Sequence, residues 1–242
     1  MKLTFATLRS LEPCYSPKRF FSEDWKGTLM EVLEDDRIPA IDRIWVFSHT
    51  APKQAQEEFA RWCALQIIHL WNAPKVVREY LETGNEEIRG EALDTHINAQ
   101  LPILAGTSHR ASRTAWRAVY RGCDGSPYSA ASYAAEAEHW HHYDNGDGHN
   151  FLQKIANERQ LKKAIELIRA EQKNRVARKW QAVKEWFVPF TCLLELIIGF
   201  FGIYNYEKYS TSYALGVGCV VHATLVLVLV FAVYQKPKKR GN

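Results

Sequence analysis

Along the first 185 residues apolar side chains return every three or four positions, the period of a helix with one buried face, and no convincing set of strands stands out. Thr50 and Pro52 give a start signal, after which Phe59, Cys63, Ile67, Leu70 and Trp71 share a face until Pro74 ends the helix. Segments 86–101 and 108–121 predict two short amphipathic helices, separated by Pro102 and Gly106. Gly125, Ser126 and Pro127 then open an alanine-rich helix, YSAASYAAEAEHWHH, whose small side chains suit tight packing; the run Asn145, Gly146, Asp147, Gly148 breaks it. Asn150 is placed to cap the next helix, with Gln153 three residues on, and Phe151, Ile155, Leu161, Ile165 and Ile168 form its apolar stripe. Near the N-terminus Trp25, Leu29, Val32 and Leu33 predict a first helix. The apolar run 38–47 reads equally as a short strand or a buried turn of helix.

Beyond residue 170 the pattern changes twice. Residues 171–185 are a charged, solvated helical connector, and from 186 to 234 the only charged side chains are Glu195, Glu207 and Lys208. Segments 186–204 and 213–234 are almost uninterrupted apolar runs; as helices of about 1.5 Å per residue they extend roughly 28 and 33 Å. A bilayer's hydrocarbon core is about 30 Å thick. A helix buried in a soluble core normally keeps a polar face, and neither segment has one. The expected fold class is therefore all-α: a cytosolic helical bundle (1–170), a basic connector (171–185) and a C-terminal transmembrane helical hairpin. The hairpin has spans 186–204 and 213–234, an outer turn at 205–212 and a basic tail at 235–242.

Charge sets the orientation. Lys173, Arg175, Arg178, Lys179 and Lys184 precede the first span and Lys236, Lys238, Lys239 and Arg240 follow the second, so both termini are expected on the cytoplasmic side of an inner membrane. Trp180, Trp186 and Tyr234 mark the inner interface; Tyr204, Tyr206, Tyr209 and Tyr213 mark the outer one. Residues 1–10, MKLTFATLRS, lack a continuous apolar core of the kind a secretory signal carries. Of the 31 Lys and Arg, 26 lie in the first 185 residues with 25 of the 27 Asp and Glu, so that part is nearly neutral and no nucleic-acid partner is expected.

Three groups of residues carry candidate chemistry. Glu195 and His222 are each the tenth residue of their span, near the bilayer midplane, where a charge is costly and a polar partner valuable. Helical spacing puts Gly199 and Gly202 on the Glu195 face and Gly218 on the His222 face; small residues allow these faces to meet, as glue within the hairpin or its homo-oligomer, or as the lining of a pore. The cluster around His139, His142 and Asp144, with Glu138 nearby, can hold a divalent ion if the two histidines share a helix face. No second histidine pair or HExxH accompanies it, so neither a metal nor another cofactor is expected. Cys14, Cys63, Cys123, Cys192 and Cys219 show no CxxC spacing and read as free thiols in a reducing compartment; no nucleophile motif or phosphate loop is present, so catalysis is not expected.

Arg61-Trp62-Cys63-Ala64, Gly84-Asn85-Glu86-Glu87 and the rhythm of Tyr128, Ala130, Ala131, Tyr133, Ala134 and Ala135 resemble a loose group of uncharacterised bacterial and phage helical proteins, some labelled immunity proteins. The resemblance covers about residues 55–168 and implies a helical bundle in a prokaryotic or phage setting, with no catalytic residues to carry over; the hairpin departs from the soluble members. The expected function is a membrane-anchored binding or scaffold protein with membrane lipid and a cytosolic protein as partners, serving phage exclusion or immunity. The alternatives are a holin-like, membrane-perturbing oligomer and a membrane-bound enzyme using the histidine cluster.

Overall fold

A computed structural model describes residues 2–13, 16–99, 109–144 and 151–206. Two threonines organise its start. Strand β1 (Lys2–Thr4) pairs antiparallel with β2 (Lys26–Thr28), Lys2 opposite Thr28. Each strand ends in a threonine that caps a helix: the Thr4 hydroxyl accepts from the Thr7 amide at 3.1 Å and opens α1 (Phe5–Ser10), and Thr28 accepts from the Glu31 amide at 3.2 Å and opens α2 (Leu29–Glu34). A three-residue ribbon and a six-residue helix are too short to print a period on the sequence. Trp25 precedes the helix predicted for it and packs on Phe21, with ring centroids 4.3 Å apart.

Prolines set the next three boundaries, each by opening a helix. Because proline has no N–H and a helix start leaves its first amides unbonded, a proline costs least there. The ambiguous run 38–47 is helical from Ala40 on, where α3 (Ala40–Thr50) begins after Pro39. Thr50 closes α3, its hydroxyl donating to the Val46 carbonyl at 2.7 Å, so the start signal for α4 (Lys53–Ile67) is Pro52 alone. Pro74 corrects the sequence reading further. α4 ends at Ile67 and tightens into one 3-10 turn, Ile68–Leu70; Pro74 begins a further helix, α5 (Lys75–Thr83), beyond those expected from the sequence. Gly84, with φ at +66°, closes α5 in the left-handed conformation. A 3-10 turn, Glu86–Ile88, leads into α6 (Arg89–Asn98), followed by α7 (His109–Asp124), α8 (Pro127–Asp144) and α9 (Phe151–Tyr206). Among the described residues the chain is thus helical apart from the small ribbon. The proposed breaks at Pro102, Gly106 and 145–148 and the cap at Asn150 lie outside them.

The chain divides into two compact units, Met1–Asn174 and Arg175–Asn242, the division falling within α9. In the first, α4, α7 and α8 pack on one another through small side chains: Ala60 and Ala64 on α4, Ala115 and Ala118 on α7, Ala130 and Ala134 on α8, all buried. Gly122 shows how close the helices come, since a Cβ there would stand 2.6 Å from the Ala64 Cβ. The first five turns of α9 complete the unit. Leu161, Ala164 and Ile168 are buried, the Gln160 side-chain amide donates to the Ala131 carbonyl at 2.9 Å, and Arg169 pairs with Glu34 at 2.8 Å.

The second unit holds the rest of α9, helical through Tyr206. Among the described residues no helix is long and apolar enough to cross a membrane. Beyond Phe187 the described side chains are Phe190 and Leu193, so those of 194–204 lie outside the description, as do the turn 205–212 from Glu207 onward, the whole of 213–234 and the tail.

Candidate functional site

Tight helix packing brings two groups of reactive or recognition-competent side chains together. The first sits at the C-terminal end of α8. Arg110, in the first turns of α7, lies with its guanidinium 4.7 Å from the Trp140 ring centroid, a cation–π contact. His141 stands edge-on to His69 of the 3-10 turn after α4 at 6.3 Å, and its ring lies 5.5 Å from His142. Tyr143 is exposed beside them. This edge therefore gathers, beside its histidines, tryptophan, tyrosine and arginine, the side chains that concentrate binding energy at interfaces.

The metal candidates fare differently. His139 is half-buried, its Nδ1 enclosed and without a hydrogen-bond partner, and its ring contacts Trp140 at 5.1 Å and Tyr143 at 6.3 Å. Glu138, offered as a third ligand, instead forms an ion pair with Arg159 of α9. The Asp144 side chain lies outside the described residues. Among those described, no group of three or more His, Cys, Asp or Glu side chains is arranged to hold a metal ion.

The second group was not singled out in the sequence. His96 on α6 is fully buried, stacked on Trp116 at 4.5 Å, edge-on to Trp71 at 4.9 Å and 5.7 Å from Tyr120. Both its ring nitrogens and the Trp116 Nε1 are buried without a hydrogen-bond partner. Burial pushes its pKa down from 6.5 to about 4, so the ring is neutral at physiological pH. One signal was available: Ala92 and His96 are four apart on one face, and Trp116 and Tyr120 repeat that spacing on α7. On the outward side of α6 an open groove of about 780 Å³ runs past Pro74, Glu91, Asp94, Thr95 and Asn98.

The thiols are placed for packing. Cys63 and Cys123 are fully buried, and burial raises Cys63 well above the usual thiol range and Cys123 to about 12. A thiol so far from ionising at neutral pH is a poor nucleophile. Of the intramembrane candidates, Glu195, Gly199 and Gly202 fall on the helical backbone of α9 with their surroundings undescribed; Gly218 and His222 lie outside the described residues. No protein-family model matches the chain, and neither a curated protein nor a solved structure matches it.

Proposed function

We propose that the chain is a non-enzymatic, membrane-anchored helical protein that oligomerises and offers its N-terminal unit to a protein partner at the inner face of a prokaryotic membrane. One observation carries the reading: α9 begins inside the core of the first unit, at Leu161, Ala164 and Ile168, and its backbone stays helical into the apolar segment that starts at 186. An apolar stretch of lipid-spanning length that follows a core element directly along the chain is suited to hold the bundle at the membrane. The cation–π edge of Arg110, Trp140 and Tyr143 is the binding surface we assign to the partner. Exclusion or immunity in phage and host conflict is the setting this reading adopts from the sequence resemblance.

Fractionation of cells expressing the full chain tests the anchor: the protein should remain in the membrane pellet through carbonate and salt washes, and a freely dissolved monomer would end the proposal. Affinity purification from detergent-solubilised native membranes tests the binding role, with Trp140→Ala expected to lose the partner while staying in the pellet. The midplane positions of Glu195 and His222 support a second reading, a pore built from several hairpins. Ion leakage on overexpression that vanishes in Glu195→Leu with His222→Leu would favour it.

A further inference from the structure

The sequence marks 171–185 as a solvated connector; the structure adds an apolar seam to it. Every residue from Gln172 to Trp186 is exposed, yet Val176, Trp180 and Val183 follow one another at spacings of four and three, so they share one helix face, to which exposed Phe190 adds further along the helix. Val176 and Val183 are more than half exposed and Trp186 is 83% exposed, far more apolar area than a solvated helix needs to show. The charges are arranged around that seam. By helical period Lys173 and Lys184 fall along one border, Arg175 and Lys179 along the other, and the only acid between residues 173 and 185 is Glu185, on the far side.

We infer that residues 173–186 form an amphipathic segment that lies along an anionic bilayer surface, its valines and Trp180 entering the headgroup boundary and its border lysines and arginine reaching lipid phosphates. A stripe edged on both sides by long basic side chains is the arrangement that binds such a surface, because their stems cover apolar area while their charges stay with the headgroups. A second copy of this chain is the poorer occupant. In a parallel coiled coil centred on the seam, Lys179 and Lys184 take the flanking positions that face each other across the pair, and like charges there repel. The orientation requires a bend, and Pro189 is the position suited to it: lacking an N–H, it cannot bond the Glu185 carbonyl, which lowers the cost of turning there. This inference rests on the membrane reading above and adds to it a lipid class and a recognition segment.

The segment's own lysines and arginines make it testable with trypsin. The full chain is reconstituted with vesicles of phosphatidylcholine alone, or with about a third phosphatidylglycerol. Cleavage at Lys173, Arg175, Arg178, Lys179 and Lys184 is followed by mass spectrometry, with flotation of the vesicles in parallel. Cleavage should be about tenfold slower on the anionic vesicles. The protection should disappear at about 0.5 M salt and in Trp180→Ser with Val183→Ser, which replaces exposed side chains only. If the chain floats with both vesicles and is cut equally fast on each, the surface segment is refuted while the anchor stands; if it floats with neither, both fall. Protection that develops in detergent as protein concentration rises would assign the seam to a second copy instead and overturn the lipid proposal.

Discussion

His96 is a buried ring of the first unit whose titration works against the fold in acid. The folded chain keeps the imidazole neutral down to about pH 4 because burial penalises its charged form, while the unfolded chain protonates it from about pH 6.5 downward. Protons therefore bind the unfolded state first. Its contribution to stability is intact above pH 6.5, declines between 6.5 and 4, and is gone below that, a loss of about 3 kcal/mol. His96→Phe keeps a flat ring against Trp116 and removes the titration. Urea unfolding of the two proteins between pH 7 and 4 should show a shallower decline for the variant, and parallel declines would disprove the assignment. Gly122 is a second single-residue control point. A methyl group there meets the Ala64 Cβ at 2.6 Å, the Ala60 carbonyl at 3.1 Å and Leu81 at 3.2 Å, and the neighbouring backbone cannot yield cheaply. Gly122→Ala should cost about 1–3 kcal/mol by overpacking. Adding Ala64→Gly should restore part of it, and if the double variant is no more stable than the sum of the singles, the close approach of α7 to α4 is not the cause.

At the scale of elements, one arginine joins three of them. Arg89, at the start of α6, donates to the carbonyls of Cys123 at 3.0 Å and Asp124 at 2.9 Å, the last residues of α7, and lies 3.7 Å from Glu57 of α4. These are carbonyls that a helix end leaves without intrahelical partners, and a guanidinium fork reaches both at once. Arg89→Met should destabilise by about 2 kcal/mol, and Arg89→Lys should recover only part, since one ammonium cannot span both acceptors. Equal stability of the lysine variant and the parent would reject the fork. Helices with a long repeat were legible in the sequence: Phe59, Cys63 and Ile67 mark α4, and Pro127 marks the start of α8. Prolines are legible as boundaries, and Pro52 and Pro127 open helices as expected, but a missing N–H is compatible with the end of one helix and the beginning of the next, and Pro74, expected to end α4, opens α5. The run 38–47 is ambiguous because its ten residues, broken by Pro39 and by Asp42 and Arg43, are too few to separate a helical period from a strand's. The site was legible only where chemistry is unusual in sequence. Histidines clustered in α8 attract notice, whereas the pairing of Glu138 with Arg159 and the enclosure of His96 by Trp71 and Trp116 join residues far apart along the chain, which periodicity cannot see.

For the whole molecule, the proposed topology follows from the placement of a few charges. Nine lysines and arginines flank the two apolar segments on their bundle and tail sides, five before and four after, against one lysine in the turn between them. Translocating such clusters is disfavoured, so the turn 205–212 should face the outside and both ends the cytosol. Cysteine labelling reads this directly. Ser210→Cys in the full chain should react with a membrane-impermeant maleimide on intact spheroplasts, beyond any background from the native thiols, while Gly241→Cys should react only after permeabilisation. The charge argument also predicts the reverse experiment. Replacing Lys236, Lys238, Lys239 and Arg240 by glutamine removes the tail's hold on the inner side, yet the bundle's five bases remain, and a folded unit of some 170 residues does not cross easily. The tail alone should then become accessible in a fraction of molecules, with the bundle still inside. Labelling at Gly241→Cys on intact spheroplasts should rise in that variant, and labelling that stays at background would mean that the apolar segments, not the flanking charges, dictate where the tail resides.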